Sequence, residues 1–182
     1  MLKNSNNFSL KLPGIIAIYV LITLFSACNQ SGTNKQNQYK NPKNPLIEIN
    51  KKLVKSEGER INDFLARYGW SMQETGSGLR YLIYHTGNGK NADTGNIAIL
   101  NYTLTLLNGD TIYTSEKNGK KEFLIGKGGV ESGLEEGILL LKEGDKAKFI
   151  IPSHLAFGLP GDGNKIPSKA TLVYDLELIQ LK

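Results

Sequence analysis

From Leu79 to the C-terminus the chain is cut by glycine and asparagine into six short runs, and this punctuation restricts the folds open to it more than any other feature. The runs are Leu79–His85, Ile97–Leu107, Thr111–Thr114, Glu122–Ile125, Lys146–Ile151 and Thr171–Leu181, either apolar or alternating apolar with polar. Segments of this length, bounded by turn formers, predict strands of an antiparallel sheet. Asn108-Gly109 stands between two of them and predicts a tight hairpin, because both residues tolerate positive φ. One stretch of this half reads as helix: Ser132 is predicted to cap it, Glu135 completes a capping box, and Leu134, Ile138 and Leu141 mark its buried face. Lys142-Glu143-Gly144 ends it. One short helix against a twisted antiparallel sheet is a small α+β domain, placed at residues 78–182, and no internal repeat is present.

Upstream, residues 46–73 form a helical segment. Leu46, Ile49, Leu53, Ile61, Phe64, Leu65 and Tyr68 recur at helical spacing, a pattern interrupted around Ser56, Glu57 and Gly58, so one or two amphipathic helices are predicted. Such a stripe either packs on the following domain or meets a second copy or another partner, and both alternatives stand.

Residues 1–13 carry two lysines and no acid, and Gly14–Phe25 is an uncharged apolar run ending in Ser26 and Ala27, the layout of a signal peptide over residues 1–27. A spanning helix needs about 18 apolar residues, so this run is too short for a permanent membrane crossing. The single cysteine, Cys28, follows at once. Leu24-Phe25-Ser26-Ala27-Cys28 resembles the bacterial lipobox, although Phe25 is unusual at its place, and the resemblance implies lipidation at Cys28. Acyl chains bury methylenes at about 0.8 kcal/mol each and so anchor a domain without a spanning helix. Residues 28–45 then read as a flexible tether, rich in Asn, Gln, Ser, Lys and Pro, with a reach of about 20 to 25 Å. The expected location is the cell envelope, lipid-anchored at the outer membrane and facing the periplasm.

Composition removes other classes. The chain has 182 residues with 40% hydrophobic and 21% charged, enough for one ordinary globular core. One cysteine and two histidines make neither a disulfide nor a closed Cys/His zinc site. Loss of Lys3 and Lys11 with the leader lowers the formal net charge from +5 to +3, and the basic residues form short pairs rather than a stripe, so no nucleic-acid partner is expected.

Little acid–base or nucleophilic chemistry is legible. His85 and His154 lack a Gly-x-Ser-x-Gly elbow to serve, and read as surface or turn residues. Gly126-Lys127-Gly128-Gly129 and Gly161-Asp162-Gly163 lack phosphate-loop spacing. Glu135 and Glu136 are adjacent on the predicted helix and point apart, which suits capping and solvent. What remains is a set of apolar and aromatic residues, Tyr102, Ile112, Val130, Leu134, Phe157, Ile166 and Tyr174, which by themselves read as core.

Several ordered segments alter that reading. Asn101-Tyr102-Thr103, Leu107-Asn108-Gly109-Asp110, Phe123-Leu124-Ile125-Gly126, Val130 through Gly137, Ile150-Ile151-Pro152, Ala156-Phe157-Gly158, Ile166-Pro167 and Ala170 through Leu178 resemble, in order and spacing, the FKBP-type peptidyl-prolyl isomerases. The resemblance covers Leu79 to the C-terminus. It implies a twisted antiparallel half-barrel wrapped on one short helix, preceded here by the amphipathic segment. It also implies a pocket in which Tyr102, Val130, Glu131, Leu134, Phe157, Ile166 and Tyr174 act on the substrate and Ile112, Tyr113 and Phe123 help to bind it. In this reading Tyr102 is the pocket tyrosine, Glu131 donates from its backbone and Leu134 is the floor.

Three positions depart from the best-known members. Leu134 stands where Trp is frequent, Phe157 where a tyrosine hydroxyl meets ligand, and Tyr113 where an Asp follows the hairpin. The last two remove a hydroxyl and its polar support. Isomerisation of an X-Pro bond needs no cofactor or metal, since the barrier is rotational. The resemblance therefore implies a prolyl isomerase of reduced activity acting on proline-containing clients, or a low-activity binding module. The order of leader, lipobox, tether, helix and domain also resembles the gliding-motility-associated isomerases of Bacteroidetes.

Overall fold

The structure is a computed structural model, and it describes residues 45–182. The expected signal peptide, lipidated Cys28 and nearly all of the tether lie outside the described residues.

The first element is a helix, α1 (Pro45–Tyr68), with proline in its first turn, where a missing N–H costs nothing. No interruption occurs at Ser56–Gly58. A glycine inside a helix costs about 1 kcal/mol against alanine. Here the buried Glu57 beside it offsets that cost, its carboxylate accepting from the Ser153 N–H at 2.7 Å, the Ser153 hydroxyl at 2.9 Å and the Thr171 hydroxyl at 2.5 Å. The expected packing of the helical stripe holds for its C-terminal half: Ile61 and Phe64 are buried against Ile150 and Val173, with Trp70 and Met72 at the edge. Leu46, Ile47, Ile49, Leu53 and Val54, in the N-terminal half, are exposed.

The strands are β1 (Gln73–Glu74), β2 (Arg80–His85), β3 (Ile97–Leu106), β4 (Thr111–Thr114), β5 (Lys121–Leu124), β6 (Lys146–Ile151) and β7 (Leu172–Leu181). They form one antiparallel sheet in the order β1-β2-β6-β7-β3-β4. The free edge of β3 is shared, since Ile97–Leu100 pair with β5 and Thr103–Thr105 with β4. Between these two partners lies a one-turn helix, α2 (Ser115–Asn118), which the periodicity of so short a segment does not reveal; the Thr114 hydroxyl caps it by accepting from the Lys117 N–H. The predicted hairpin is present, with Gly109 at φ 94° and the Asp110 N–H bonded to the Asn108 side chain.

Strand alternation sorts the core into two layers. Leu100, Leu104, Phe149, Ile151, Tyr174, Leu176 and Leu178 form the main core with the short helix α3 (Ser132–Ile138), whereas Ile150 and Val173 point the other way, to α1. Two glycines let α3 lie close to the sheet. A Cβ on Gly137 would stand 2.5 Å from the Phe149 ring, and one on Gly133 2.4 Å from Ile151. Phe149 is fully buried and has nowhere to go. Gly137→Ala should therefore lower stability despite its helix propensity, because overpacking costs about 1 to 3 kcal/mol and the propensity gain is about 1 kcal/mol. A thermal midpoint above that of the wild type would contradict this.

The predicted capping box is absent. Glu131, not Ser132, is the N-cap; its carbonyl accepts from Leu134 and Glu135, while the Ser132 hydroxyl donates to the Leu155 carbonyl. Glu135 is neither a cap nor a solvent residue. Its Oε1 accepts the N–H groups of Gly126, Lys127 and Gly128 at 2.8, 3.1 and 3.0 Å, so the glycine-rich loop wraps a carboxylate supplied by its own chain. Glu136 accepts from the Ser77 hydroxyl. The loop so held carries Val130 and Glu131 to the mouth of the site.

Candidate active site

The ten candidates meet on the inner side of the sheet, around the start of α3. β3 supplies Tyr102, β4 Ile112 and Tyr113, β5 Phe123, β7 Tyr174, and the loop into α3 Val130 and Glu131. Leu134 lies in the first turn of α3 and is fully buried. After β6 the chain makes a 3-10 turn, Ser153–Leu155, which delivers Ala156 and Phe157; Ile166 arrives at the end of the following loop. Phe123, Leu134, Ile166 and Tyr174 are buried, and Tyr102, Ile112, Tyr113, Val130 and Phe157 are partly buried against them. The open part is a depression of about 290 Å³ lined by Lys121, Gly129, Val130, Glu131, Ala156 and Phe157. A larger one, about 480 Å³, includes Asn101, Thr103, Asp175 and Glu177 among its walls. Those side chains alternate with the core residues and so belong to the outer face, and Tyr102 is the one candidate that borders it.

Of the departing positions, Tyr113 brings polar contacts of its own. The Tyr113 hydroxyl donates to Asp162 Oδ2 at 2.6 Å and accepts from the Asn164 amide at 3.3 Å. Asp162 Oδ1 accepts the N–H groups of Asn164 and Ile166 at 2.8 and 2.7 Å, which folds the loop so that Ile166 turns into the core. Tyr113 thus ties β4 to the loop that carries the Ile166 wall. Desolvation alone would raise the Asp162 carboxyl, but the bonds from Tyr113, Asn164 and Ile166 outweigh it and hold the group below the usual range.

The pocket interior is also more polar than an aliphatic reading allows. The Tyr174 hydroxyl donates to Glu131 Oε1 at 2.8 Å, and Lys121 Nζ lies 3.4 Å from Glu131 Oε2 and 3.2 Å from the Tyr174 hydroxyl. The same ammonium stands 5.6 Å from the ring centres of both Tyr102 and Tyr174, whose rings are 6.0 Å apart. The Glu131 carboxylate therefore has a structural partner set that its implied backbone role does not mention. Lys121 carries no sequence signal for the site, since its partners Glu131 and Tyr174 are 10 and 53 residues away. The role of Asp162 is equally hidden, since its partner Tyr113 is 49 residues away. Among the described residues no group of three His, Cys, Asp or Glu side chains is placed to share a metal ion.

Burial, the nearby Glu131 charge and the hydrogen bond to it push the Tyr174 phenol well above its ordinary value, and burial with Asp175 does the same at Tyr84. The folded chain then keeps protons that the unfolded chain releases near pH 10. Stability from these groups is complete below that pH and falls as pH rises beyond it. Urea midpoints measured from pH 8 to 11 should drop more steeply for the wild type than for Tyr174→Phe; equal slopes would contradict the assignment.

A short helix laid against the inner face of a curled antiparallel sheet, with an aromatic-walled pocket at its start, defines a binding domain of the FKBP type. Residues 88–179 match the family described as FKBP-type peptidyl-prolyl cis-trans isomerase, and the chain belongs to that family. It is 36% identical over 140 residues to the Neisseria meningitidis protein named "Probable FKBP-type peptidyl-prolyl cis-trans isomerase FkpA", covering 74% of this chain and 50% of that one. The crystal structure of AtFKBP13 superimposes with a TM-score of 0.59 at 30% identity, over 62% of this chain and 100% of that one. FkpA from Escherichia coli, at 24% identity and a TM-score of 0.60, shares the fold over 95% of this chain and 84% of its own. The chain spans 50%, 61% and 53% of the length of three of the curated relatives it matches.

Proposed function

We propose that this chain catalyses cis–trans isomerisation of X-Pro bonds in exported proteins, held in the cell envelope by a lipid on Cys28. The observation that carries the catalytic part is the pocket: Val130 and Phe157 line a depression and pack against the buried cluster that includes Leu134, Ile166 and Phe123. A planar X-Pro amide resists rotation with a barrier of about 18 to 20 kcal/mol because resonance gives its C–N bond double-bond character. Twisting removes that resonance and leaves a less polar carbonyl. A wall that strips water from the amide therefore costs the planar ground state more than the twisted one, which is the differential binding that catalysis requires. No nucleophile, proton transfer or covalent intermediate enters.

A second reading is favoured by one observation. The ligand-contacting hydroxyl is absent at Phe157, while Tyr113, Tyr174, Lys121 and Glu131 spend polar groups on one another. A domain so arranged could grip extended proline-containing segments with little turnover. Refolding of a protein whose slow phase is limited by a proline bond separates the two: the isomerase reading expects that phase to quicken with catalytic amounts of protein. An unchanged rate with suppressed aggregation would leave the binding module.

The envelope setting rests on the N-terminal sequence. The leader, the lipobox cysteine and the tether suit an outer-membrane lipoprotein facing the periplasm, and their order before a helix and an FKBP-type domain suits the gliding-motility-associated lipoproteins of Bacteroidetes. Labelling with a fatty-acid probe should mark the wild type and spare Cys28→Ala; equal labelling would end the anchor proposal. Since Ile61 and Phe64 are used against the sheet, a partner contact through the helix at residues 46–68 falls to its exposed N-terminal half.

A further inference from the structure

Lys121 and Glu131 are the two charged side chains among the six residues lining the depression, and they are unequally placed. The Glu131 side chain is 3% exposed and the Lys121 side chain 24%, so an incoming peptide meets the ammonium while the carboxylate lies behind it. Both polar contacts of the ammonium are long, 3.4 Å to Glu131 and 3.2 Å to Tyr174, and an ammonium carries three donors. Of this pair, neutral as a whole, the ammonium is therefore the charge that faces an incoming peptide.

We infer that Lys121 is a specificity-determining residue that makes this pocket favour prolines flanked by an acidic residue and disfavour those flanked by a basic one. The inference rests on the prolyl-pocket reading above. A client carboxylate takes the spare donor of Lys121 and gains a charge-assisted bond in a partly desolvated place, whereas a client ammonium is repelled. Glu131 tempers the effect by neutralising part of the Lys121 charge, and Tyr174, by holding Glu131, keeps the carboxylate behind the mouth.

Three peptides, Ala-Glu-Pro-Phe, Ala-Leu-Pro-Phe and Ala-Lys-Pro-Phe, test this with the whole protein, read both as isomerisation kcat/KM by exchange NMR and as affinity by titration. The Glu peptide should exceed the Lys peptide by about five- to tenfold at low salt, the scale of one surface charge contact, and the ratio should shrink as salt rises. Lys121→Met should flatten the ratio, Lys121→Arg should keep it, and Glu131→Gln should steepen it. A merely structural role for either residue would lower all three peptides together. Because Lys121→Met leaves the Glu131 carboxylate short of a partner, the double variant Lys121→Met with Glu131→Gln provides a second flat ratio in an uncharged pocket. Equal values for the three peptides in the wild type would overturn the inference while leaving the isomerase reading intact. Ordered affinities without turnover would sustain the inference and defeat the isomerase reading.

Discussion

Glu57→Ala should be among the most destabilising single changes in this chain, lowering stability by about 3 to 5 kcal/mol. The carboxylate accepts three hydrogen bonds, from the backbone and hydroxyl of Ser153 and the hydroxyl of Thr171. Bonds to a charged acceptor are worth about 1.5 to 3 kcal/mol each, but burying the charge costs part of that sum, so the net falls below simple addition. Truncation also strands the buried Thr171 hydroxyl, whose desolvation is then uncompensated. The position matters to the site because Ser153 begins the turn that delivers Phe157 and Thr171 directly precedes β7. Urea unfolding measures the loss, and Glu57→Gln, which keeps the shape but not the charge, should lose less. A change within about 0.5 kcal/mol, the range of ordinary surface substitutions, would show that α1 is not clamped through this group.

Tyr174→Ala should cost about as much and should also abolish the site. Tyr174 is fully buried, and core aromatic truncations cost about 3 to 5 kcal/mol. Removing its ring takes away the face opposite Tyr102 and the hydroxyl donor to Glu131. Tyr174→Phe isolates the hydroxyl: it keeps the ring and leaves a buried acceptor short of one partner, for about 1 to 3 kcal/mol. If Tyr174→Ala unfolds with the wild-type midpoint, the ring is not part of the core that shapes the pocket.

The strands were legible because their signals are local. Period-two alternation from Leu172 to Leu181 and the Asn108-Gly109 turn need no tertiary information, and both are present. Of the one or two helices that the interruption at Ser56–Gly58 leaves open, the fold takes one, and nothing local decides it: glycine argues against helix unless something outside the helix repays it, and Ser153 and Thr171 are 96 and 114 residues from Glu57. The capping box failed for a similar reason, since Glu135 finds three loop N–H groups that a cap would not offer. At the site, the aromatic and apolar residues that the resemblance names are ones the fold gathers into a single cluster. The polar partners Asp162 and Lys121 it does not name. Tyr113 reads as a lost Asp until Asp162 is brought to it, and Lys121 carries no signal until the fold sets it over two tyrosine rings.

The central claim, that the depression between β5, the start of α3 and the Phe157 loop isomerises X-Pro bonds, is tested most directly by exchange NMR. The peptide Ala-Leu-Pro-Phe is followed with the wild type, with Phe157→Ala and with Ile61→Val as a destabilised control in the layer between α1 and the sheet. The account predicts cis–trans exchange far faster than the uncatalysed tens to hundreds of seconds, shift changes at Val130 and Phe157, loss of most of the acceleration in Phe157→Ala, and its retention in Ile61→Val below that variant's unfolding transition. Exchange at the uncatalysed rate with wild-type protein, or an acceleration that Phe157→Ala leaves untouched, would contradict it.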